Sequence, residues 1–297
     1  MASFKKVWKE VRAFVYTLII FLLVIGALLL YSGIWPPFVV VESASMQHSD
    51  ETSKVGIMDT GDLVLVQEYS EDDEIVTYVE GYSTDHRTFG DYGDVVIYQR
   101  DGTDRYTPVI HRAIVLLVYN STSTSYDVPS LERLPSELWS HDGVNDGRWW
   151  ALDGDLTIYH VGYEDATVVI PLDDLLSYGR GGFITKGDNN NMIDQNSYSP
   201  ISDGPVQDDW IVSVAKGELP WFGLLKLWAT GMYAPYGEGV PENSWTNMFV
   251  CIALIVVVPF AVDLSNTMLK RRGIDVAAKI SSKMPWRKKK EGRKDEK

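Results

Sequence analysis

The sequence predicts a mainly β domain carried by two membrane-spanning helices. Three observations point there. Two long apolar runs lie near the two ends of the 297 residues. Between them, short runs rich in β-branched residues recur, several opened by Gly-Asp turns. The charge is split: residues 32–246 hold 11 Lys and Arg against 35 Asp and Glu, about −24, while the two ends together carry about +10.

The first run follows a basic stretch, residues 1–12, containing Lys5, Lys6, Lys9 and Arg12. Residues 13–31, Ala13 to Tyr31, are nineteen residues without a charge. At about 1.5 Å per residue they span a hydrocarbon core of about 30 Å. A cleaved secretory signal is the competing reading, but its apolar region is about 7–15 residues and ends at a small-residue cleavage site. Here Tyr31-Ser32-Gly33-Ile34-Trp35 follows instead, so an uncleaved anchor is expected. Trp35, Pro36 and Pro37 end that helix and leave an aromatic at the interface.

The strand candidates come next. Pro37–Val41 is apolar and β-branched. Gly61-Asp62 opens Leu63–Val66, and Gly93-Asp94 opens Val95–Tyr98. Pro108–Tyr119 is a longer strand candidate, Phe183–Thr185 runs into a polar turn, and Gly204–Val212 is a turn with a strand. Residues 120–180 are polar with scattered aromatics and read as an insertion with some order of its own. Asn120-Ser121-Thr122 within it fits the glycosylation pattern. Leu219–Trp228 is apolar but short and contains Lys226, which suits an interface better than a span.

The second span candidate is 245–264, with an uncharged core from Met248 to Val262. Pro259 is tolerable in a membrane helix. Lys270, Arg271 and Arg272 follow, in a basic tail over 265–297. Basic residues flank the outer ends of both spans, so both termini are expected in the cytoplasm and residues 32–244 outside it. The acidic middle repels phosphates and excludes nucleic acid as its partner. It suits a domain kept soluble in concentrated salt, where its self-repulsion is screened, as in a halophilic source. Cys251 is the single cysteine, so an internal disulfide and a cysteine-based zinc site are both excluded.

Three elements then share the extracytoplasmic side. Ser45 lies just past the first anchor, His111 in a strand candidate, and Asp188 and Asp194 flank a polar turn. This is the inventory of a Ser–His–Asp hydrolase, a class recognised by roles rather than chain order. Histidine accepts a serine proton near neutrality without further tuning. His48, three residues from Ser45, is a rival base by proximity alone, and His86, His141 and His160 read as solvated loop residues. If strand geometry persists to Ser45, Ser43 shares its face. The Ser43 hydroxyl would then join the Ser45 N–H in binding an oxyanion, where one such donor is worth ~3 kcal/mol.

These pieces resemble the type I signal peptidases. Ser43-Ala44-Ser45-Met46 looks like their Ser-x-Ser-Met box, with Ser45 at the nucleophile position. Gly93-Asp94-Val95-Val96, Val109-Ile110-His111-Arg112 and Lys186-Gly187-Asp188-Asn189-Asn190 through Asp194 are similar to their later boxes. Trp210-Ile211-Val212 and Gly217-Glu218-Leu219-Pro220 resemble archaeal members. His111, where bacterial members carry lysine, places the resemblance with the archaeal and endoplasmic-reticulum type. Ala44 and Gln47-His48 depart from the usual pattern without removing a catalytic group. The resemblance covers roughly residues 35–223 apart from the insertion. It implies a catalytic domain of antiparallel sheets and a membrane-bound serine endopeptidase that cleaves signal peptides from preproteins, without metal or cofactor. Val39, Val41 and Met46 are the candidates to line its small-residue pockets. Trp35, Phe38, Trp221 and Phe222 are the candidates to rest on lipid. Of the two aspartates, Asp194 is expected to orient His111, and Asp188 to accept the N–H bonds of its own turn. A non-catalytic two-span surface protein with an acidic binding domain is the rival reading.

Overall fold

The computed structural model describes residues 2–231 and 239–271. Residues 232–238 and most of the basic tail, from Arg272 on, lie outside the described residues. The chain divides into two compact units, 1–244 and 245–297.

The first unit opens with helix α1, Ala2–Ser32. From Phe14 to Ser32 it is apolar, and its large side chains there, Phe21 and Leu23 among them, are mostly exposed. After it come strands β1 (Phe38–Val40) and β2 (Leu63–Glu68), helix α2 (Tyr78–Thr84), and strands β3 (Arg87–Thr88), β4 (Asp91–Tyr92), β5 (Val95–Tyr98) and β6 (Val109–Asn120). Strands β7 (Ser125–Asp127), β8 (Trp139–His141), β9 (Asp155–Val161) and β10 (Ala166–Pro171) follow, then helix α3 (Leu172–Leu176). Strands β11 (Gly182–Lys186) and β12 (Ile211–Leu219) and helix α4 (Leu224–Thr230) complete the unit.

Seven strands form one curled antiparallel sheet in the order β1-β2-β12-β5-β6-β11, with β7 paired to the far end of β6. Each Gly-Asp-led run is a strand of it. Val95, Val96, Ile97 and Tyr98 are all buried, because both faces of β5 are covered. Helix α2 lies where the sequence read as β or loop. It starts at a reciprocal capping box, in which the Thr77 hydroxyl takes the Glu80 N–H and the Glu80 carboxylate takes the Thr77 N–H.

Residues 120–180 are not an appendage. Strands β8, β9 and β10 make a second antiparallel sheet. Trp139, Leu156, Ile158 and Ile170 of that sheet share one buried core with Ile114, Leu117 and Ile184 of β6 and β11.

The described part of the second unit lies in helix α5, Ser244–Arg271, with Pro259 inside it. It extends past the predicted 245–264 at its C-terminal end, and most of its large apolar side chains, such as Phe249, Ile255 and Phe260, are exposed. Helices α1 and α5 have the length and composition to cross a membrane.

Candidate active site

The β6 strand delivers the site through its alternation. Cross-strand partners share a face, and so do residues two apart. His111 pairs with Val96, Ala113 with Thr185, and Tyr98 lies two beyond Val96. His111, Tyr98 and Thr185 therefore come to one face of the sheet. The chain after β11 returns beside that strand and sets Asp194 among them. Asp194 Oδ2 accepts three hydrogen bonds: from His111 Nδ1 at 2.7 Å, Thr185 Oγ1 at 2.7 Å and Tyr98 OH at 2.8 Å. Its loop is pinned by the backbone, with Asp194 N donating to Thr185 O and Ile201 N to Asp194 O. Burial opposes ionisation of Asp194, but the His111 charge and these three donors outweigh it and hold the carboxyl below its ordinary range. With Nδ1 bonded to the carboxylate, Nε2 is the ring nitrogen left for chemistry.

Asp188 belongs to a different cluster. Arg112, one residue after His111, points to the opposite face and is fully buried. It grips Asp188 with two parallel bonds, Nε to Oδ1 at 2.8 Å and Nη2 to Oδ2 at 2.7 Å. His48 Nε2 lies 3.1 Å from the same Oδ2. The expectation that Asp188 would serve the N–H groups of its own turn is corrected: its carboxylate is occupied by Arg112 and His48. Burial raises its pKa, but the Arg112 charge and bonds dominate and push it far below the usual carboxylate range. His48 is thereby committed to Asp188, and its ring stacks on Tyr163 at 4.0 Å.

Ser45 sits in a single 3₁₀ turn, Ala44–Met46, not at a strand end. Strand β1 stops at Val40, so the expected strand geometry does not persist to the serine. The two hydroxyls still meet, with Ser43 Oγ 3.2 Å from Ser45 Oγ. The turn is tied to the loop after β11: Asn189 N donates to Ser45 O at 2.8 Å and Asn189 Nδ2 to Ala44 O at 3.0 Å. Gly187 fits between the His111 ring and the Ser45 turn. A Cβ there would lie 2.8 Å from His111 Nε2 and 2.6 Å from Ser45 O, closer than real Cβ contacts allow.

Ser45, Ser43 and His111 line one cleft of about 1120 Å³, with β1 along it. Its walls are mostly apolar, which is the usual character of a ligand site with a few polar groups. Val39 is half-buried in the wall. Val41 and Met46 also border the cleft but are 3% and 1% exposed and pack into the core behind it, with Met58 and Val64. The ladder bonds Val66 N to Pro37 O and Val41 N to Asp62 O fix the alternation of β1. Pro37, Val39 and Val41 face β2, so the N–H and C=O of Phe38 and Val40 face the unpaired edge.

Of the four side chains expected on lipid, Trp35 is 70% exposed. Phe38, Trp221 and Phe222 are half-buried, and the Trp221 indole donates to Ser53 Oγ. The exposed apolar side chains nearby in sequence are Leu219 at the end of β12 and Leu225 and Trp228 of α4. The solvated-loop reading holds for neither His141 nor His160 in full. Both are on strands, His141 bonded by Nε2 to the Asp153 carbonyl and largely buried, His160 exposed and paired with Asp165. His86 is paired with the buried Asp94.

Sequence reasoning passed over Tyr98, Thr185, Arg112 and Asn189. Arg112 carried a signal: an arginine inside an apolar strand demands a buried carboxylate. Among the described residues no group of three or more His, Cys, Asp or Glu side chains is arranged to hold a metal ion. No family model and no curated protein matches this sequence.

Proposed function

We propose that the protein is a membrane-anchored serine endopeptidase of the type I signal peptidase kind, which removes signal peptides from exported preproteins. One observation carries the reading. The Asp194 carboxylate holds His111 by Nδ1 at 2.7 Å, and His111 and Ser45 open into the same apolar cleft. A binding protein has no need for that convergence.

In this reading His111 Nε2 takes the Ser45 proton as Ser45 Oγ attacks the scissile carbonyl. Asp194 stabilises the imidazolium and keeps its tautomer. The Ser43 hydroxyl and the Ser45 N–H receive the oxyanion; the latter belongs to the first turn of a 3₁₀ helix, where N–H groups lack an intrahelical acceptor. His111 then returns the proton to the leaving amine, and a water activated the same way releases the acyl group from Ser45. The preprotein lies extended along β1 and bonds to the outward backbone groups of Phe38 and Val40, as an added strand. Val39, with Val41 and Met46 behind it, forms the shallow apolar floor that favours small side chains at −1 and −3. Helices α1 and α5 anchor the enzyme with both termini in the cytoplasm and residues 32–244 outside, the cleft close to where the cleavage site leaves the bilayer.

A serine-directed acylating probe tests the reading on the purified full-length protein. Labelling that maps to Ser45 and is lost in Ser45→Ala and His111→Ala supports it. Labelling that survives Ser45→Ala, or fails in the wild type, favours the non-catalytic surface protein.

A further inference from the structure

Residues 120–180 reach the nucleophile turn at the tip of the hairpin between β9 and β10. The tip is a tight turn, with Gly162 and Asp165 at φ 74° and 56° and Asp165 N bonded to Gly162 O. Tyr78 of α2 holds it, its OH bonded to His160 O and accepting from Gly162 N at 3.0 Å. This fixes Tyr163, whose OH lies 2.9 Å from Asn189 Oδ1 and 3.2 Å from Gln47 O.

A phenol has one proton to give, and the shorter contact is to Asn189. An amide has two distinct ends. With Oδ1 taken by Tyr163, Nδ2 is turned to Ala44 O, and Asn189 N holds Ser45 O. The Tyr163 ring meanwhile covers the His48 that completes the Asp188 cluster. Burial, aided by the Glu164 charge, pushes the phenol up to about 12, so it stays a donor at any working pH.

We infer that Tyr163 is a positioning residue for Ser45, and that the inserted hairpin belongs to the catalytic apparatus. The inference rests on the peptidase reading above. Tyr163 touches neither Ser45 nor His111 in this scheme; it acts through Asn189 on the turn that carries the nucleophile.

The test is a double-mutant cycle on the full-length protein in detergent, measuring turnover of a model preprotein, the pH profile and melting. Tyr163→Phe keeps the ring over His48 and removes the donor. It is expected to lower kcat about tenfold with KM within about twofold, with melting and the acid limb of the pH profile unchanged, since His111 is untouched. Asn189→Ala is expected to lose at least as much. The double variant should be no worse than Asn189→Ala alone, because both changes break one chain of contacts. A Tyr163→Phe enzyme with wild-type kcat overturns the inference, as do losses that multiply in the double variant, or a kcat loss that follows a lower melting temperature. If the wild type itself does not cleave and does not acylate at Ser45, the peptidase reading fails and takes this inference with it. Those outcomes are distinct.

Discussion

Two aspartates six residues apart have different partners on opposite faces of the sheet, and that separation yields opposite expectations. Asn at 194 can keep an oxygen where His111, Thr185 and Tyr98 all donate, but it loses the charge that stabilises the imidazolium formed when His111 takes the Ser45 proton. Asp194→Asn should keep its melting temperature and lose about 10⁴-fold in kcat. Asp188→Asn should instead melt markedly lower, because removing one charge of a buried pair leaves Arg112 uncompensated, at a cost of about 3–5 kcal/mol. Turnover and melting of the two variants side by side check this; a stable, inactive Asp188→Asn beside an active Asp194→Asn would reverse the roles. Likewise His111→Ala should abolish cleavage and His48→Ala should leave most of it. Gly187→Ala is expected to cost at least 10²-fold in kcat, since its methyl displaces either His111 or the Ser45 turn. Ser45, His111 and the Gly-Asp-Asn turn were legible because short motifs carry them. Tyr98 and Thr185 were not, since each looks like an ordinary strand residue until the register with β6 puts it on the same face as His111. Arg112 was legible as well, since an arginine inside an apolar strand calls for a buried carboxylate.

Among the elements, β1 and the turn before β2 each invite a measurement. Proline at Val40 removes an N–H that the register directs away from β2, so the ladder to β2 is kept. Val40→Pro should therefore raise KM for a preprotein about tenfold with little change in melting; an unchanged KM would rule out strand addition on β1. The Asp62 and Glu218 carboxyls belong to the same end of that ladder, and burial pushes both up to about 7. Each binds its proton more tightly folded than unfolded, so stability is greatest below the unfolded values of about 4 and falls as pH rises through about 7. Glu218→Gln keeps an acceptor for Gly56 N and removes the charge. It should raise the denaturation midpoint at pH 8 and flatten the fall between pH 5 and 8; a steeper fall would contradict the assignment. The strands were legible from Gly-Asp turns and β-branched runs because β5 and β6 are buried and their sequences show it. Helix α2 was missed although Thr77-x-x-Glu80 spells its capping box, seven residues being too short for apolar periodicity to appear. The contribution of residues 120–180 to the core was hidden because Trp139, Leu156 and Ile170 are spread thinly through polar sequence.

At the scale of the whole molecule, charge dominates. Residues 32–246 carry about −24, so the unit should gain stability between about 0.1 M salt, where the Debye length is about 10 Å, and molar salt. A midpoint that does not move would count against self-repulsion as a force on this fold. The charge split and the apolar lengths of α1 and α5 were plain in the sequence, because spanning a bilayer needs only composition and length. The convergence of Ser45, His111 and Asp194 was not, because pairs so distant in sequence meet only through the sheet order β2-β12-β5-β6-β11. The peptidase reading stands on that convergence, and one measurement bears on it most directly. Purified full-length protein is mixed with a preprotein bearing an Ala-x-Ala site, and the products are identified by mass. The account predicts a single cut after that site, absent with Ser45→Ala and with His111→Ala. No cut by the wild type, or the same cut by Ser45→Ala, would contradict it.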